Sequence, residues 1–184
     1  MPRISAATNA AQRENTKRAI LESFGKLLYS RGLPGLTMTD VAKNAGIGRT
    51  AVYNYFADMG ELLVAYALDE TERFIKELDE GLEGVDNPID QLAVYIRLQI
   101  EDLARRHLPP GPAMGSMLSP ESYAKLGKHV RELQMVLANI LSAAIAEHYI
   151  PENDIRELAM LVHGSLSSSA GRTEDAPDED TRER

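Results

Sequence analysis

The chain has 184 residues, enough to bury a substantial core as one large domain or two small ones. It contains no cysteine, which excludes disulfides and thiolate metal sites and fits a reducing cytoplasm. Its formal charge of -8 argues at first against a nucleic-acid partner, and no apolar run approaches the roughly 20 residues that cross a membrane. The N-terminus also lacks a charged segment followed by an apolar core, so no secretion signal is expected and the predicted location is cytoplasmic.

Residues 1–14, rich in Ala and carrying Arg3 and Arg13, are predicted to form a flexible arm. A first helix is predicted from Asn15 to Arg31, with Ile20, Leu21, Phe24, Leu27 and Leu28 on one face and Gly32 as its stop. Thr37, with Asp40 three residues on, resembles a capping box opening a second helix. A third helix is expected over Gly48 to Phe56. Asp58 then caps a fourth, reaching about Glu83, whose Leu62, Leu63, Tyr66, Ile75, Leu78 and Leu82 keep helical spacing. A fifth, from Ile89 to about Arg106, is expected to bury Leu92, Ile96, Ile100 and Leu103.

Three prolines and two glycines between Leu108 and Ser119 predict a loop. A long helical pattern follows from Ser119 to Tyr149, carried by Leu126, Val130, Leu133, Leu137, Ile140, Leu141 and Ile145 and stopped by Pro151. Asp154 is placed to cap a last helix ending near Ser169, and residues 172–184, with six acids and no apolar pattern, predict a disordered acidic tail. The fold class expected is all-α, with a helix-turn-helix domain over residues 15–57 and a further helical domain over residues 58–171.

The stretch Thr37 to Phe56 is the most informative. Two short helical patterns meet at Ala45-Gly46-Ile47, a junction tight enough to need the left-handed conformation that glycine adopts at little steric cost. Val41, Ala42, Ile47, Val52 and Phe56 supply apolar contacts, which leaves Arg49, Thr50, Tyr53, Asn54 and Tyr55 on a short helix with little to bury. Charge supports a nucleic-acid reading. Residues 1–56 hold eight Lys or Arg against three acids, a net of +5, so the remaining residues carry -13. A basic head on an acidic body is the balance expected when only the head meets phosphate.

The first 63 residues resemble the DNA-binding domain of TetR-type transcriptional regulators. The resemblance rests on Ile20-Leu21, Gly32, Thr37, Val41-Ala42, Ala45-Gly46-Ile47, Tyr53-Asn54-Tyr55-Phe56 and Leu62-Leu63 in combined spacing. It departs from the family at Gly48, where Ser or Thr usually caps the recognition helix, and at Thr50, which replaces a common Gly. It departs also at Met59, where a Lys often meets a phosphate. The resemblance implies a helical ligand-binding and dimerising domain after the head, with ligand binding swinging the fourth helix to lower DNA affinity.

Arg49 and Thr50 are the expected contacts to base edges or nearby phosphates, and Asn54 to adenine or phosphate. The resemblance implies that Tyr53 and Tyr55 bond phosphates and so set register. Thr37 is a further candidate, and Lys17 and Lys43 add attraction. One short helix reads about half an operator, so a homodimer on a palindromic double-stranded site is expected. Its expected interface is Ala138, Ser142, Ala143 and Ala146 with Ala159, Gly164 and Ser168, small residues that allow close four-helix packing.

A small-molecule effector is expected among Tyr66, Phe74, Tyr95, Met114, Met117, Tyr123, Met135 and His163, since Met and aromatic side chains suit adaptable apolar pockets. No cofactor is implied. The four histidines lack metal-ligand spacing, no G-x-S-x-G elbow or Gly-rich phosphate loop occurs, and no catalysis is expected. The reading is therefore a regulator of transcription, most simply a repressor released by a small apolar ligand. The alternatives are a DNA-binding regulator without small-molecule input, such as an activator or one controlled by a protein, and a helical small-molecule binder without DNA function.

Overall fold

A computed structural model describes residues 3–105 and 118–170, and their side chains except those of residues 3–8, 129 and 167–170. All regular structure among them is helical: α1 Arg3–Arg31, α2 Met38–Ala45, α3 Arg49–Tyr53, α4 Met59–Leu82, α5 Pro88–Arg105, α6 Pro120–Ala146 and α7 Ile155–Ala170. The chain divides into two compact units, one of Met1–Glu70 with His107–Gly127 and one of Thr71–Arg106 with Lys128–Arg184. The expected loop between Leu108 and Ser119 falls almost entirely outside the described residues, and the expected acidic tail wholly so.

The first unit is held by Ile20, Leu21, Phe24, Leu27 and Leu28 of α1, packed with Val41 and Ala42 of α2, Val52 of α3, Phe56, and Leu62, Leu63 and Tyr66 of α4. The predicted boundary at residue 57 thus differs from the observed division at Glu70, because α4 buries its first turns in this same core. Phe24 meets Tyr66 edge to face with ring centroids 5.4 Å apart. Gly25 permits that approach, since a β-carbon there would lie 2.8 Å from the Tyr66 ring.

α1 begins at Arg3 rather than Asn15, so residues expected to form a flexible arm are helical. Their Ala, Arg, Gln and Glu content favours helix. Every side chain from Asn9 to Asn15 is exposed, so there was no apolar face to read. α6 ends at Ala146, short of Tyr149. His148 there takes φ 60, Tyr149 N donates to the Ala144 carbonyl at 2.9 Å, and His148 N donates to that of Ile145 at 3.0 Å. This paired closure normally uses glycine, and a histidine in that role carries no sequence signal.

In the second unit, Phe74 and Leu78 of α4, Tyr95 of α5 and Leu137, Ile140 and Leu141 of α6 form the core, with Leu158 and Val162 of α7 against it. The face of α5 differs from expectation. Tyr95, Gln99 and Asp102 are buried while Ile100 is 47% exposed. The apolar spacing of Leu92, Ile96, Ile100 and Leu103 pointed to a neighbouring stripe, because two polar residues occupy the buried one.

Candidate nucleic-acid interface and ligand cavity

The helix-turn-helix is assembled by local chemistry. Thr37 sits in extended conformation before α2, accepts at its hydroxyl from Asp40 N, and donates its own N–H to the Asp40 carboxylate at 3.0 Å. The Thr37 hydroxyl also bonds that carboxylate. These Thr37 bonds, side chain first and then backbone, hold the Asp40 carboxyl below its ordinary range, so the capping box is ionised at neutral pH. Gly46, at φ 69, closes α2, and Ile47 N donates to the Ala42 carbonyl at 3.0 Å. Ser23 Oγ lies 3.0 Å from both the Val41 carbonyl and Asn44 Oδ1, which ties α1 to the end of α2.

α3 is a short helix entered through Gly48, in extended conformation and without a side-chain cap. Val52 is fully buried and Phe56 nearly so. Those two anchors turn Arg49, Thr50, Tyr53 and Asn54 to solvent, and Lys43 on α2 and Lys17 on α1 are exposed as well. The Arg49 guanidinium lies 5.9 Å from the Tyr53 ring centroid, close enough for a cation–π contact. Tyr55 is half-buried, with the Arg13 guanidinium 5.2 Å from its ring centroid. Arg13 and Ser23 were absent from the sequence-based candidates. Arg13 lay in the expected arm, and no spacing links Ser23 to Asn44.

Met59, near the start of α4 where the resemblance would place a phosphate-binding Lys, is half-buried against the first unit's core. Asp58 Oδ1 accepts from Glu61 N at 2.8 Å, and Glu61 Oε2 accepts from Ala57 N at 2.6 Å. The helix entrance therefore presents two carboxylates and no cation.

The candidate ligand residues are divided between the two units. Tyr66 is buried against Phe24 in the first unit, and Tyr123, also in that unit, is 49% exposed. Met114 and Met117 lie outside the described residues. In the second unit, Phe74 and Tyr95 are core and Met135 is 63% exposed. His163 is the member that borders a cavity of about 410 Å³. Leu103, Val130, Leu133, Met160 and Leu166 form its apolar walls, and Gln99 and Gln134 add amides. Gln99 had a sequence signal: it lies one helical turn beyond Tyr95 and breaks the apolar pattern of α5.

Of the small residues expected at a dimer interface, Ser142, Ala146 and Gly164 are exposed, and Ala138, Ala143 and Ala159 are half-buried. The Ser168 side chain lies outside those described. Beside them on α7, Leu161 is 67% exposed. Among the described residues no group of His, Asp and Glu is arranged to hold a metal ion, and no helix is long and apolar enough to cross a membrane.

Residues 20–66 match the model for bacterial regulatory proteins of the tetR family. The chain is 34% identical over 74 residues to an uncharacterized HTH-type transcriptional regulator of Haemophilus influenzae, covering 40% of this chain and 36% of the relative. It is 32% identical over 75 residues to the HTH-type transcriptional regulator TtgR of Pseudomonas putida, again covering 40% of this chain and 36% of the relative. The match thus spans about a third of the length of these relatives.

Solved structures extend the likeness of fold. The fatty acid degradation regulator FadR of Bacillus halodurans aligns with TM-score 0.73 at 17% identity, over 89% of this chain and 87% of its own. The regulator FadR of Bacillus subtilis, in complex with stearoyl-CoA, aligns with TM-score 0.70 at 20% identity, over 83% and 84%. AibR, in complex with isovaleryl coenzyme A and operator DNA, aligns with TM-score 0.71 at 21% identity, over 82% and 83%. The helix-turn-helix of residues 20–66, whose anchors and turn are those described above, is thus similar to that of bacterial regulatory proteins of the tetR family.

Proposed function

We propose that the protein is a homodimeric transcriptional repressor that binds a palindromic DNA operator through α3 and is released by a small apolar effector held in the second unit. The observation that carries this reading is the split of residues around α3. Val52 and Phe56 are spent on the core, while Arg49, Thr50, Tyr53 and Asn54 are left at the surface of a basic segment. Arg49 and Thr50 are assigned to base edges or adjacent phosphates, and Asn54 to adenine or phosphate. Tyr53, Tyr55, Lys43 and Thr37 are assigned to phosphates, where they set register. The Thr37 hydroxyl is already engaged by Asp40, so its share is best supplied by the amides of the first turn of α2.

A lone recognition helix covers half a site, and two-fold pairing places two heads on successive major grooves. The exposed Leu161, Gly164, Ser142 and Ala146 are the natural seam for that pairing. Effector control needs only a ligand that prefers the DNA-incompetent state. A coupling of about 1–3 kcal/mol lowers operator affinity roughly 5- to 150-fold. α4 contributes residues to both units and is the covalent route for such a signal. The stearoyl-CoA and isovaleryl coenzyme A named with two structural neighbours support a ligand input in general, though not its apolar character.

The test is fluorescence anisotropy with the gene's own upstream region against random duplex, in a salt series. Specific binding that weakens as salt rises is expected. Arg49→Ala is expected to lose about 1–3 kcal/mol of specific affinity and to narrow the gap between operator and random duplex. Equal affinity for both duplexes in the unmodified protein ends the proposal.

A further inference from the structure

Three polar side-chain atoms of the second unit are buried without a hydrogen-bond partner among the described residues: the Tyr95 hydroxyl, Gln99 Oε1 and His163 Nε2. Tyr95 is fully buried, and Gln99 is 8% exposed. The two lie one turn apart on α5, and the His163 ring meets that of Tyr95 edge on, with centroids 6.3 Å apart. Buried polar atoms are almost always bonded, because leaving them dry costs stability that an apolar side chain of similar shape would not. Three in one neighbourhood make a site kept polar for something that is brought to it.

Two of the three side chains, Gln99 and His163, border the 410 Å³ cavity, whose size lies within the roughly 300–1,000 Å³ usual for small-molecule sites. Among the described residues, none that lines it is Lys, Arg, Asp or Glu. Burial also lowers the pKa of His163, which keeps the imidazole uncharged at neutral pH. An anionic head group placed there would shed its water with no cation to replace it. A neutral donor would shed its water at much smaller cost and would satisfy the amide oxygen.

We infer that this cavity binds an uncharged, mainly apolar molecule whose hydroxyl or amide N–H donates to Gln99 Oε1 while the same polar head bonds His163 Nε2. This rests on the proposed effector site in the second unit and names its chemistry. It sets the site apart from the phosphate-bearing head of an acyl-coenzyme A.

The test is calorimetric titration of the full-length protein, without DNA, with three probes of one chain length: decan-1-ol, decanoate and decanoyl-coenzyme A. Decan-1-ol is expected to bind at least tenfold more tightly than either anion. Gln99→Leu is expected to weaken decan-1-ol about 3- to 10-fold and to raise the melting temperature of the ligand-free protein, a pairing that a structural glutamine would not give. Gln99→Met, unbranched and close in length, is the second variant should leucine prevent folding.

The inference is overturned if decan-1-ol does not bind, if either anion matches it, or if both variants bind it unchanged. It is overturned equally if the variants melt lower, which would mean that the amide is satisfied by a trapped water and serves the fold. Operator release is scored separately by anisotropy. Binding of decan-1-ol without release supports the cavity assignment and removes only the effector role.

Discussion

Replacing Tyr95 with phenylalanine removes one oxygen from the centre of the second unit and leaves the ring in place. The tyrosine is fully buried, and its hydroxyl has no partner among the described residues. In the unfolded chain that hydroxyl bonds water, and on folding it loses those bonds and regains none from the described residues. Burial also pushes the phenol pKa well above its ordinary value, the direction expected for an oxygen in a dry setting. A buried group left unsatisfied costs about 1–3 kcal/mol, and the ring contacts with His163 and the core survive the change.

Tyr95→Phe should therefore stabilise the ligand-free protein by about 1–3 kcal/mol. For a chain of this size each kcal/mol is worth roughly 2–4 °C, so the melting temperature should rise by about 2–12 °C. Urea unfolding followed by circular dichroism at one fixed protein concentration measures this, with the midpoint raised and the slope unchanged. A phenylalanine variant that is less stable than the parent would mean that the hydroxyl is bonded in the folded state, and the neighbourhood of the cavity would lose one of its three unbonded atoms.

Gly46→Ala should cost about 1–2 kcal/mol, because φ 69 is strained for any residue with a β-carbon even though nothing lies near enough to clash. Gly46→Asn should recover part of this, and thermal melts with operator binding would show both. His148→Gly should gain about 1 kcal/mol at the end of α6, where the histidine now occupies a left-handed position, read by chemical denaturation. Acidification should act through His163, whose pKa is lowered by burial. Between its folded value and 6.5 the unfolded chain binds more protons, so this contribution is intact above about pH 6.5 and declines as pH falls below it. His163→Gln should flatten that decline in melts taken from pH 7.5 to 5.5, and an unchanged profile would remove His163 as its source.

The head was legible because its instructions are local. The Thr37–Asp40 capping box, the left-handed Gly46 and the apolar positions Ile20, Phe24, Val41, Val52 and Phe56 are each read within a turn or two of chain. The structure places all of them as cap, turn and core. The spared polar residues of α3 follow by subtraction. The first turns of α1 were not legible, since residues 3–14, rich in Ala and with Ile4 as their one large apolar side chain, have no apolar stripe to announce a helix.

The cavity was the least legible part. Tyr66 and Phe74 fall on one helix with similar character, yet Tyr66 packs on Phe24 in one unit and Phe74 on Tyr95 and Leu137 in the other. Nothing within α4 distinguishes them. Gln99 and Asp102 defeat the usual rule in another way, because polar residues on a buried stripe rotate the apparent apolar face of α5 by about one position.

The helix-turn-helix, its Thr37 cap, the tight turn and the charge asymmetry were thus determined by the sequence alone, since each depends on residues a few positions apart. Which side chains share a core, which polar atoms end up dry, and where space is left between α5, α6 and α7 were decided only by tertiary packing. Those properties depend on pairs far apart in the chain, and the cost of an unbonded atom is set by what surrounds it in space.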